Sequence, residues 1–152
     1  MLDNRGEKYS FMEVNVRYLG GKKFEMSARG HQVVADQPFD DDGTDAAMTS
    51  TELFLSGLGA CAAYYAEEYL RARALPYEGL EVRLSADKGD KPARITKVQM
   101  EVTAPGLTQR HRDGILRAVD ACLLENTLQK PPEIEVKVTS AHKVSELELI
   151  AT

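Results

Sequence analysis

Tryptophan is absent from the 152-residue chain, and six Tyr and four Phe are its only aromatics. So sparse a set offers no stacking platform for bases or sugars. Positive charge is also short: 19 Lys and Arg against 24 Asp and Glu leave a net charge of −5 and a pI near 5.3. Nucleic-acid binding draws on clustered Lys and Arg, and the pair Lys22-Lys23 is too short to supply it. Nucleic acid is therefore not an expected partner. Long hydrophobic runs are missing too. The longest, Leu53 to Ala66, is broken by Ser56, Gly57 and Gly59 and falls short of the ~20 residues that cross a bilayer. Met1 to Ser10 is polar and charged, without the apolar core of a signal peptide. No membrane association is expected, and a cytoplasmic location is. Cysteine occurs only at Cys61 and Cys122. In a reducing compartment a disulfide between them would be transient rather than structural. The three histidines, His31, His111 and His142, are scattered, and none pairs with a Cys at zinc-ligand spacing. Neither a metal nor a cofactor is expected.

Hydrophobic periodicity, by contrast, is plain. Met12, Val14, Val16 and Tyr18 share one face of an alternating segment, and Glu13, Asn15 and Arg17 share the other. Gly20-Gly21 supplies the permissive backbone of a tight hairpin. Phe24, Met26 and Ala28 resume the alternation, and Gly30 precedes a third short strand through Val33 and Val34. Three meandering strands with one wet face are expected. Asp36 to Asp45 holds five Asp, but as a calcium loop it fails: with Gly43 as the turn glycine, position 1 falls on Pro38 and position 12 on Thr49. A solvated loop is the better reading.

Thr49-Ser50-Thr51-Glu52 reads as a capping box, a hydroxyl followed three residues later by a carboxylate. The helix it opens is apolar all round from Leu53, which predicts burial on every side. Gly57, Gly59, Ala60, Ala62, Ala63 and Ala66 admit a closely approaching backbone. Glycine inside a helix costs about 1 kcal/mol relative to Ala, so two in one turn imply a tight contact that outweighs propensity. The helix turns amphipathic at Glu67, Glu68, Arg71 and Arg73 and stops before Pro76.

Two more alternating strands follow, Leu80 to Ala86 and Val98 to Val102, around a turn at Gly89 to Pro92. A second helix begins near Thr108, with Ile115, Val119 and Cys122 on one face, and Ile134, Val136 and Val138 mark a last strand after Pro131-Pro132. The order βββ-α-ββ-α-β, with hairpin-linked strands and few crossovers, argues an α+β fold rather than a doubly wound parallel sheet. The tail beyond His142 fits strand and helix alike. A helix apolar on all faces is hard to bury in one chain of this size, and a partner chain covering it would solve the problem. A homodimer is expected.

Few residues carry chemistry. Free cysteines are among the most buried residue types, so Cys61 and Cys122 read alone fit small core hydrophobes. Ser56 lacks a nucleophile elbow, since Phe54 stands where its first Gly belongs, and is read as bonding its own helix backbone. Gly57-Leu58-Gly59-Ala60-Cys61-Ala62 matches a dinucleotide fingerprint, but the capping box starts the helix about eight residues too early for it.

The stretch Thr51-Glu52-Leu53-Phe54-Leu55-Ser56-Gly57-Leu58-Gly59-Ala60-Cys61 resembles the ELLLAALGAC signature of the OsmC/Ohr family. Cys122-Leu123-Leu124-Glu125-Asn126-Thr127-Leu128 is similar to the family's second-cysteine segment, and Pro132 to Val136 to its closing strand. The resemblance implies a single OsmC-like domain over residues 1–152, its core about 12–140, with antiparallel sheets wrapped around long central helices in an intertwined dimer. It also implies thiol-dependent reduction of organic hydroperoxides in oxidative-stress defence. Cys61 would attack the peroxide, Cys122 would resolve the sulfenic acid as a disulfide, and a dithiol reductant would restore the pair. The family's activating Glu, ten residues before the first Cys, is here Thr51. Glu52 lies one residue later and fits either an activating role or the capping box alone. The family's hairpin Arg corresponds to Lys22 or Lys23, which bring charge without the rigid guanidinium fork. Leu123-Leu124-Glu125 replaces Pro-Val-His. An alternative keeps the dimer but makes it a non-enzymatic protein that holds a small apolar ligand at the subunit interface.

Overall fold

A computed structural model of the chain describes residues 12–140. His142, the tail beyond it and the polar segment Met1 to Ser10 lie outside the described residues.

Strands β1 (Asn15–Gly20), β2 (Lys23–Ala28) and β3 (His31–Ala35) form an antiparallel meander in the order β1-β2-β3. The β1–β2 turn is possible because Gly20 and Gly21 take positive φ, 104° and 59°, where a Cβ would be strained. Tyr18 pairs with Phe24, and Met26 lies between Val16 and Val33, so the alternation predicted from sequence gathers one apolar face. Arg17 and Glu25 pair across the other at 2.9 Å. The apolar face is left open: Val16 and Tyr18 are each 62% exposed. The sheet makes its main contacts within itself and not with the helices.

The acidic loop is more ordered than a purely solvated one. Asp40, Asp41, Asp42 and Asp45 do face solvent, but Asp36 is buried. Its carboxylate accepts hydrogen bonds from the Thr44 hydroxyl at 2.6 Å and from the Gln37, Thr44 and Ala46 amides at 2.8, 3.1 and 3.1 Å. The Thr44 hydroxyl above all, with the three amides, outweighs burial and holds the Asp36 carboxyl at a pKa of about 2.

Helix α1 (Ser50–Arg71) starts at the expected capping box, with both reciprocal bonds between Thr49 and Glu52 in place. One side of it packs on the antiparallel pair β4 (Glu81–Asp90) and β5 (Ala93–Thr103) and on α2 (Gln109–Val119). Ala62, Ala66 and Leu70 form the core there with Ile115 and Val119, flanked by Val82, Met100 and Val102. The small residues do what their spacing implied. A Cβ on Gly59 would stand 2.6 Å from a Leu84 methyl, and one on Gly114 of α2 would run into the Tyr69 ring. The other side of α1 is not buried, contrary to the all-round expectation. Phe54 and Tyr64 are 45% and 60% exposed, because one chain supplies cover for a single side.

Two other expectations are corrected. The second helix is two: α2 ends at Val119, the chain turns through Asp120 and Ala121, and α3 (Leu123–Gln129) begins after Cys122. Cys122 therefore caps α3 in an extended conformation, φ −60° and ψ 128°, instead of lying on the face of α2. The strand at Ile134, Val136 and Val138 is not formed, and the three side chains are 81–91% exposed. A strand needs a ladder, and among the described residues this segment pairs with neither sheet. The class remains α+β. Among the described residues no helix is long and apolar enough to cross a membrane.

Candidate functional site

Cys61 and Cys122 come from elements far apart in sequence and meet on the open side of α1. Cys61 lies half-buried in the middle of α1, and Cys122 is fully buried at the start of α3. Gly57 is one helical turn before Cys61, on the same face. α3 lies against it there, the Leu124 methyl standing at an ordinary contact distance, 3.9 Å, from where a Gly57 Cβ would be. The break between α2 and α3 turns Cys122 inward and leaves it a neighbour of Cys61. Burial pushes the Cys122 thiol up, and the neighbouring Cys61 raises it further, while the Glu125 and Leu124 amides at the start of α3 pull it partly back. Cys122 is thus held as a thiol. Both cysteines are free.

The other predicted residues are not brought to this pair. Glu52 is nine residues before Cys61, which at about 100° per residue puts it on the opposite face of α1. Its carboxylate turns back on Thr49, accepting from the amide at 2.7 Å and the hydroxyl at 2.9 Å. Those two bonds, then the charge of Lys88, outweigh desolvation and lower its pKa. Lys22 lies in the β1–β2 turn and Lys23 opens β2, on the sheet that stands apart from α1. Ser56 donates to the Glu52 carbonyl at 2.7 Å, the backbone bond expected of it.

Sequence reasoning missed a groove of about 510 Å³ on the Glu52 face, between α1 and β4. Met48, Leu55, Ala63, Val82 and Leu84 line it, with Glu52 and Ser56 as its polar groups. It also missed Leu124 as the residue that closes on Gly57. The available signal was Gly57 itself, one turn ahead of the cysteine.

The family model described as OsmC-like protein matches residues 43–137, the span from the acidic loop through α3. No curated protein matches the sequence. Among solved structures, a Psychrobacter arcticus protein named for osmotic stress induction and detoxification response superposes with a TM-score of 0.70 at 17% identity, over 75% of this chain and 85% of that one. An OsmC-like protein from Mycoplasma pneumoniae gives 0.68 at 17% identity over 80% and 89%. An organic hydroperoxide resistance protein OsmC from Legionella pneumophila gives 0.60 at 15% identity over 81% and 92%.

Proposed function

This chain belongs to the OsmC-like protein family, and from that premise we propose that it is a thiol-dependent peroxidase that reduces organic hydroperoxides in the cytoplasm, as a homodimer. The observation that carries the proposal is the meeting of the two thiols, Cys61 half-buried and Cys122 fully buried behind it. That is the arrangement a two-step oxidation needs. The Cys61 thiolate attacks the terminal oxygen of the hydroperoxide; the O–O bond breaks, the sulfur becomes a sulfenic acid, and the alkoxide leaves as alcohol with a proton from solvent. Cys122 then gives up its proton and attacks the Cys61 sulfur. The S–S bond forms and hydroxide leaves. A dithiol reductant takes up the disulfide by thiol–disulfide exchange, itself becoming oxidised. Having the second thiol in place stops oxidation before the irreversible sulfinic stage. Apolar side chains close to Cys61 along α1, Phe54 and Leu58, would favour an organic peroxide over hydrogen peroxide.

The dimer is part of the proposal. The open side of α1, the uncovered face of the β1–β3 sheet and the unpaired 134–138 segment are apolar surfaces that one chain leaves exposed. Each is accounted for if a second copy lays its sheet over α1. The hairpin lysines, Lys22 and Lys23, would then reach Cys61 from the partner and supply positive charge. Glu52 keeps the role its hydrogen bonds give it, as the helix cap.

The test is peroxide consumption coupled to a small dithiol, with cumene hydroperoxide and hydrogen peroxide compared. Wild type should turn over, faster with the organic substrate. Cys61→Ser should fall to background, since a hydroxyl stays protonated and cannot attack the O–O bond. Cys122→Ser should react once and then over-oxidise at Cys61, visible by mass spectrometry. A reduced wild type that consumes neither peroxide would overturn the proposal. It would move the assignment to a non-enzymatic dimer holding a small apolar ligand, for which the α1–β4 groove is the observation in favour.

A further inference from the structure

We infer that Tyr64 and Tyr65, one helical turn past Cys61, form an aromatic wall beside its sulfur that selects arylalkyl hydroperoxides over straight-chain ones. The inference rests on the peroxidase reading of Cys61 and names the substrate class of that site. Residues three and four apart are neighbours on a helix surface, their Cβ atoms about 5–6 Å apart. The two tyrosines stand at those two spacings from Cys61 on α1. Side chains on a helix lean toward its N-terminus and cover the turn before their own Cα. Both rings therefore lean over the turn that carries Cys61. They meet edge to face, with centroids 5.5 Å apart and planes at 88°, an arrangement aromatic rings prefer, so each holds the other in place. Tyr64 is 60% exposed, and Tyr65 and Cys61 are half-buried, so the wall is open on the side where Cys61 is reached. On the other flank of Cys61, Gly57 has no side chain to fill the space, and Phe54 lies one turn further on, itself exposed. The sulfur thus sits between aromatic residues along α1. In the proposed dimer the partner's sheet closes over this face, and the rings then wall an enclosed site. A substrate ring gains an edge-to-face or offset-stacked contact there, about three- to tenfold in rate, beyond the apolar area that an alkyl chain of similar size also buries.

The first measurement needs no peroxide. Cys61 of the reduced full chain is alkylated with N-benzylmaleimide and with N-ethylmaleimide, located by mass spectrometry, each rate divided by that of a free small thiol. Wild type should favour the benzyl reagent about three- to tenfold. Tyr64→Leu and Tyr65→Leu keep apolar bulk and lose the ring, and the preference should fall toward one. Tyr64→Phe and Tyr65→Phe keep the ring and should keep the preference. The N-ethylmaleimide rate should stay at the wild-type value throughout, which a merely structural role would not give. Circular dichroism and size-exclusion profiles check the fold, and if Tyr65→Leu fails to fold, Tyr64→Leu at the exposed position carries the test. The second measurement is kcat/KM for cumene hydroperoxide against hexyl hydroperoxide, whose ratio should follow the same order. Leu variants that keep the wild-type ring preference overturn the inference, as does a wild type that turns over both peroxides without one; the peroxidase reading then stands. A wild type that favours the benzyl reagent and consumes neither peroxide keeps the aromatic wall and overturns the peroxidase reading.

Discussion

Asp36 illustrates how much one side chain organises here. Four donors converge on its carboxylate, and all need it ionised to bond at full strength. Its carboxyl is therefore depressed in the folded state, about 2 against an ordinary 3.8. The sign follows from proton linkage: an acid whose folded pKa lies below its unfolded value stabilises the fold above the unfolded value, and that contribution is lost as pH falls. Urea unfolding between pH 7 and pH 2 should show wild type above Asp36→Asn at neutral pH. The gap should hold down to about pH 4 and narrow as pH falls through 3.8 toward 2. A constant gap over that range would remove the carboxylate from the account. From sequence this residue was one of five acids in a loop. Nothing in spacing distinguishes the aspartate that turns inward from the four that face water, because the distinction is made by backbone amides eight and ten residues on.

Helix α1 was legible almost to the residue at its start, because a capping box is a local arrangement written in four consecutive side chains. The reciprocal bonds are those of the capping role, one of the two open to Glu52. Thr49→Ala should cost about 1 kcal/mol of stability, as loss of a helix cap does. Glu52→Ala should destabilise in the same direction, Glu52→Gln much less, and both should leave the alkylation rate of Cys61 and its peroxide turnover at wild-type values. A Glu52→Gln protein that folds normally but loses turnover would restore the carboxylate to the chemistry. The second helix was less legible. Ile115, Val119 and Cys122 keep a helical spacing across the point where the helix in fact breaks. Periodicity continues through a short turn between two helices that share a core, so apolar spacing alone could not show the break. Yet the break is what carries Cys122 from the α2 face to the start of α3 and leaves it a neighbour of Cys61.

The described residues leave a broad apolar surface exposed. Val14, Val16, Tyr18, Phe54, Tyr64, Ile134, Val136 and Val138 are all exposed, and soluble monomers rarely leave apolar patches on that scale. A dimer built on these faces should bury over ~2,000 Å² in total, the range of obligate interfaces. Light scattering after gel filtration should give twice the 16.8 kDa chain mass. The unfolding midpoint in urea should rise with protein concentration, because dissociation is coupled to unfolding. Val16→Asp, which puts a charge into the face of the sheet, should lower that midpoint or release monomer. A monomeric wild type at micromolar concentration, with a midpoint independent of concentration, would sink the dimer and with it the supply of Lys22 or Lys23 from a partner.

Strand alternation and the helix cap were determined by the sequence itself, since each depends on residues within a few positions of one another and on a fixed period, and the order of those elements carried the α+β class. The two cysteines could also be singled out there, through their resemblance to a family pattern. Only the tertiary structure decided that they are neighbours, that Glu52 lies on the opposite face of its helix, and that the segment at Ile134 is not paired with another strand among the described residues. These are contacts between elements far apart in sequence. They depend on which side of a helix a neighbour covers and where a helix breaks, and a hydrophobic period records that a face will be buried without recording what buries it.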